Sequence, residues 1–168
     1  MYRAVLASVA VLVLVASLGL GASRSVGSTE AQFESPIVGL PAGLNGNASG
    51  TIRGVPSAGA PWVASGEAQL DGDAGLRVEV EGLLLDLPGS PLNLTTGPVT
   101  GVRASLTCQN GNVVATTGVV PLSAAGDAEI EETITLPSKC VGPIVLIRIG
   151  RIGTGAAVMG PWIAATGF

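Results

Sequence analysis

From Leu76 to Glu81 every second residue is apolar: Leu76, Val78 and Val80 alternate with Arg77, Glu79 and Glu81. A period of two predicts a strand with one buried and one wet face. The same period, or a short apolar run bounded by Gly, Pro and Asn, recurs from Gly50 onward. It predicts strands over 51–55, 62–70, 76–80, 99–108, 113–122, 128–136, 142–149 and 156–168. Leu83–Leu87 continues the third strand or begins a bend at Gly82. Residues 142–149 are nearly all apolar, as suits a central strand buried on both faces. In the 99–108 run Val102, Ala104, Leu106 and Cys108 share one face, so Cys108 points inward. Turn signals separate the runs: Asp71–Gly75, a Pro/Gly/Asn-rich loop from Pro88 to Pro98, Asn110-Gly111 and Ser123–Asp127. Asn110-Gly111 is the strongest hairpin signal of the chain. No helical period occurs outside the N-terminal segment. The expectation is an all-β, antiparallel two-sheet sandwich, immunoglobulin-like in general architecture, with a small closed β-barrel as the alternative.

The chain begins differently. In residues 1–27 one arginine, Arg3, precedes an unbroken apolar run, Ala4–Leu20, which ends in small residues. That is the layout of a secretory signal peptide, an apolar helix cleaved after Ser23 or Gly27. The alternative is a retained anchor, because about 17 apolar residues reach the lower limit for crossing a bilayer. No cysteine follows the run, which excludes a bacterial lipid anchor. Residues 28–49 lack a period and read as an extended or poorly ordered spacer. The partition is therefore 1–27 signal or anchor, 28–49 spacer and 50–168 a single β domain. Asn47-Ala-Ser49 and Asn93-Leu-Thr95 match the glycosylation acceptor pattern, which arises often by chance.

Composition narrows the function classes. Hydrophobic residues make up 47% of the 168, aromatics only 3%, so the core must be built from small side chains. A net charge of −4 lacks the basic footprint that nucleic acid requires. It also argues against electrostatic attachment to anionic lipid. The two cysteines, Cys108 and Cys140, allow one intramolecular pairing, and an export signal implies a compartment that favours it. The alternative is two buried thiols. Pairing closes a loop of about 33 residues and contributes roughly 3–4 kcal/mol in the chain-entropy model. The segment so closed, two β-rich runs around the small-residue turn Ser123–Asp127, is the part around which the domain is organised.

The chain contains no histidine, so Ser-His-Asp and Cys-His catalysis and histidine metal sites are ruled out. No cofactor motif is present: two arginines in Arg148-Ile-Gly-Arg151 do not make a phosphate cradle. What remains is a carboxylate pair. Glu79 and Glu81 lie about 7 Å apart on one strand face, and Glu129 and Glu131 repeat the arrangement. The competing reading is a solvated face that keeps the sheet soluble. Glu132 shares parity with Ile130 and Ile134, so it needs a partner or a bulge, and Arg103 or Arg148 could supply a structural ion pair. Asp71–Gly75 starts like a calcium loop but has Leu76 where that loop needs Gly, which favours a hairpin turn. Both tryptophans sit in an internal echo, Ala60-Pro-Trp62-Val-Ala-Ser-Gly66 and Gly160-Pro-Trp162-Ile-Ala-Ala-Thr-Gly167. Either they share strand-start chemistry, with Trp62 and Trp162 packing on the core, or the first and last strands occupy equivalent places.

The segments 54–85, 102–117 and 124–149 and the terminal Trp162–Phe168 resemble a group of small secreted bacterial proteins, met mainly in actinobacteria. The resemblance covers most of residues 52–168 and both cysteines. It implies a signal peptide, an extracellular β domain and a disulfide, and it assigns no functional residue. The expected function is a secreted, non-enzymatic envelope protein, structural or binding. The alternatives are a carboxylate-dependent glycan hydrolase and a membrane-tethered version that keeps residues 4–20. The expected partner is a cell-envelope component or another protein, with membrane contact only through the N-terminal segment.

Overall fold

A computed structural model of the chain describes residues 31–43, 50–109 and 112–167. The expected signal segment, the Asn47 triplet and the Asn110-Gly111 turn lie outside the described residues. The described chain contains no helix, and its strands pair antiparallel apart from a single isolated parallel bridge, Ser57 to Trp162.

The strands are β1 (Ala31–Gly39), β2 (Thr51–Ile52), β3 (Val55–Pro56), β4 (Trp62–Asp71), β5 (Gly75–Leu85), β6 (Val99–Thr107), β7 (Val113–Thr116), β8 (Val120–Pro121), β9 (Ala128–Thr133), β10 (Ile144–Ile152) and β11 (Trp162–Thr166). One hydrogen-bonded path runs β7-β6-β10-β11-β1-β4-β5-β9, and β8 also pairs with β6. The β2–β3 hairpin stands apart.

β1 falls inside the stretch expected to be a spacer, and it joins the two halves of the path. Its first part pairs with β4, Phe33 opposite Leu70, and its last part pairs with β11, Gly39 opposite Ala164. Pro36 sits where the partner changes, a position where a missing N–H costs least. β1 is therefore part of the same sheet path as the strands after residue 50. The long run 113–122 also differs from expectation, breaking into β7 and β8 at Thr117-Gly118. The buried Thr117 hydroxyl accepts from the Ala104 N–H, which takes the chain out of strand register there.

The alternation in β5 is observed as expected. Leu76, Val78 and Val80 are buried and Arg77, Glu79 and Glu81 exposed. They meet Val102, Ala104 and Leu106 of β6 and Val145, Ile147 and Ile149 of β10 in one apolar cluster. β10 and β11 are buried almost throughout. Small residues let the backbones approach: at Gly150 a Cβ would press against Val119 and the Val102 carbonyl carbon.

Candidate functional site

Cys108 and Cys140 are bonded, with their Cα atoms 5.0 Å apart. Cys108 follows β6 with its side chain inward, and Cys140 lies in the segment leading into β10. The segment they close carries both outer strands of the path. β7 and β8 lie beside β6, whereas β9 lies beside β5 at the far end. The two β-rich runs are thus not a hairpin but a strap between the sheet's two edges. Its turn is held by Ser123 N–H to the Asp127 carbonyl (2.9 Å) and Asp127 N–H to Ser123 Oγ (2.9 Å). Arg53, at the β2–β3 turn, clamps both ends: Nη1 donates to the Thr107 carbonyl (2.9 Å) and Nη2 to the Gly142 carbonyl (2.6 Å).

The carboxylates divide into two groups. Glu79 is the register partner of Glu67 on β4 and of Glu129 on β9, so three acids form a row across adjacent strands. Glu79, Glu81, Asp127 and Glu129 rim an open cleft of about 770 Å³. Its exposed apolar lining is Val120 and Pro121, while Val80, Leu122 and Ala128 beneath belong to the buried core. Glu131 lies elsewhere, paired with Arg77 at 3.0 Å with both side chains well exposed. That bond, and the charge of Glu131, hold the Arg77 guanidinium above its ordinary range. Glu79 and Glu129 are register partners on one cleft, and both are exposed. A general acid needs burial to keep its proton near neutrality.

Glu132 does not meet Arg103 or Arg148, which corrects the expected ion pair. It lies opposite Leu76 in register, but its side chain is exposed. The strap brings Gly118 alongside, and Gly118 N–H donates to Glu132 Oε2 at 2.8 Å. A backbone amide, not an arginine, answers the exposed carboxylate and latches β9 to the β7–β8 connection.

Arg103 and Arg148 instead stand opposite each other on β6 and β10, on the face opposite to that of Val102 and Ile147. A register shift at Gly150 pairs Arg151 with Gly101, two residues from Arg103, so Arg151 shares that face. The Arg148 guanidinium is largely buried, and burial, with Arg103 beside it, pushes its pKa down. It braces the β10–β11 loop: Nε donates to the Gly160 carbonyl (2.7 Å) and Nη2 to the Met159 carbonyl (3.1 Å). Arg103 Nη1 lies 2.7 Å from Met159 Sδ. None of the three arginines forms an ion pair among the described residues. The loop they surround exposes Ile152, Val158 and Met159. Sequence reasoning missed this cluster, because simple alternation puts Arg148 and Arg151 on opposite faces. The glycine between them was the available sign of a bulge.

Trp62 and Trp162 are both buried and begin β4 and β11. Those strands are the two neighbours of β1, so the two copies occupy equivalent places around one strand. Leu40 lies between the copies, donating to the Ile163 carbonyl (2.9 Å) and accepting from Trp62 N–H (2.8 Å). Asp71–Gly75 is a turn closed by Ala74 N–H to the Asp71 carbonyl at 3.0 Å. Among the described residues no three acidic or cysteine side chains are grouped as a metal site. Comparison of the chain with protein-family models, curated proteins and solved structures finds no match.

Proposed function

We propose that this chain is an exported, non-catalytic β domain of the bacterial cell envelope, a structural or binding module. The observation that carries the reading is the Cys108–Cys140 bond, because such bonds persist in oxidising compartments and are rare in the cytosol. The basic-then-apolar layout of residues 1–27 and the resemblance to small secreted actinobacterial proteins support the same reading. In its finer architecture we read a two-sheet sandwich in which β1 passes from one layer to the other, as strands do at the corners of packed sheets. A strap closing the two edges keeps the barrel as the alternative. Retention of residues 4–20 would give a tethered form of the same domain.

The test is fractionation of cells that express the full chain or a chain lacking residues 1–27. The full chain accumulates outside the cytoplasm in oxidised form, and the shortened chain stays inside. Folded full chain recovered from the cytoplasm with free thiols contradicts the proposal.

One observation favours a second reading, glycan hydrolysis: Glu79 and Glu129 share a cleft. Incubation with cell-wall polysaccharides and a reducing-sugar readout decides it. The envelope reading expects no turnover. Turnover that disappears in both Glu79→Gln and Glu129→Gln establishes the hydrolase instead.

A further inference from the structure

The charges of this domain are sorted by place. The acids Glu67, Glu79, Glu81 and Glu129 lie on the outward side of β4, β5 and β9. The half-buried bases Arg103 and Arg151 lie on one face of β6 and β10, with the buried Arg148 beside Arg103. Each patch also carries apolar surface. The acidic one rims a cleft that also presents Val120 and Pro121. The basic one surrounds a projecting loop that exposes Val158 and Met159, about 40% and 54% respectively. Carboxylates directly opposite one another across strands repel, as do arginines placed that way. Each row therefore gains when an opposite charge lies over it.

We infer that the β10–β11 loop of one copy docks into the acid-rimmed cleft of a second copy. Val158 and Met159 meet Val120 and Pro121, and Arg103 and Arg151 meet the carboxylate rim. Charge complementarity selects the occupant: each surface has on the same chain the partner that its own charge lacks. The loop is already set for docking. Val158 N–H donates to the Gly150 carbonyl (2.8 Å), Gly160 N–H to the Ile149 carbonyl (3.0 Å), and Gly153 N–H to the Pro98 carbonyl (2.9 Å). Thr100 Oγ1 donates to the Gly153 carbonyl at 2.6 Å. A loop held this way loses little freedom on binding. Because loop and cleft are different patches, the contact propagates into a chain of copies unless its rotation closes it. The inference does not depend on export.

Sedimentation equilibrium of the purified domain at low and high salt tests it. The native protein gains mass with concentration at 50 mM salt, and the association weakens at least tenfold by 500 mM as screening shortens its reach. Arg151→Glu spoils the loop side and Glu129→Arg the cleft side, so each variant alone stays monomeric. Their mixture is decisive. The intact loop of the Glu129→Arg chain fits the intact cleft of the Arg151→Glu chain, giving a 1:1 dimer that grows no further. Circular dichroism shows that both variants are folded before they are mixed. A native protein that stays monomeric at all concentrations overturns the inference, and so does a mixture that stays monomeric. Self-association that survives in either single variant also overturns it, because the contact then lies elsewhere.

Discussion

Removing the strap's anchor is the perturbation whose size follows most directly from the geometry. Cys108 and Cys140 are 32 residues apart in sequence. The loop-closure relation then gives about 3.7 kcal/mol of stabilisation at 25 °C, through restriction of the unfolded chain. In Cys108→Ala/Cys140→Ala the loss of a buried sulfur adds roughly 1 kcal/mol, because Cys108 is almost fully enclosed and Cys140 is not. The expected total is about 4–5 kcal/mol, a large share of the roughly 5–15 kcal/mol that a domain possesses. In melting temperature that is a fall of about 10–15 °C. Urea unfolding followed by circular dichroism measures it, and a rising m-value should accompany the loss as the unfolded chain expands. Because the strap carries β7 and β9 on opposite edges, both should lose hydrogen-exchange protection together, ahead of β10 and β11. A loss under 1 kcal/mol, or loosening confined to β7, would refute the view of 108–140 as a strap between edges.

Gly66→Ala should cost about 3 kcal/mol or more in urea unfolding, because Gly66 has φ +142° and a Cβ there would collide with the Glu79 carbonyl. Trp62 is buried and its Nε1 has no hydrogen-bond partner among the described residues. Trp62→Phe should therefore cost under about 1.5 kcal/mol, whereas Trp62→Ala should cost about 3–5 kcal/mol and open a cavity. The chain has no histidine, so its stability should show no inflection between pH 6 and 8. Arg148 does not alter this. Its folded pKa is depressed below the unfolded value, so the cost of holding its charge is constant at lower pH. That cost is relieved only as pH rises through the folded value. Urea midpoints at pH 6, 7 and 8 check this.

Local alternation made β5 legible, since Leu76, Val78 and Val80 needed one face and Arg77, Glu79 and Glu81 the other. It also gave the inward aim of Cys108. Pairing between distant strands was not legible. β1 was passed over because Ser35, Pro36 and Gly39 dilute its apolar positions, and its place rests on β4 and β11, far away in sequence. The 113–122 run looked continuous because nothing local reveals that the Thr117 hydroxyl bonds to Ala104. Glu132 was given an arginine because its parity demanded a partner, and the Gly118 amide that answers it arrives only when the strap folds across. The basic cluster was hidden by one bulge, since a single inserted residue reverses every later side chain on a strand.

The central claim, an exported domain stapled across its strap, is tested most directly by intact mass measurement of the full-length chain recovered from outside the cell, before and after reductant. The account predicts a chain starting near Arg24 or Ser28 whose mass rises by about two daltons on reduction, as one disulfide opens. A chain that retains residue 1, or a mass unchanged by reductant, would contradict it.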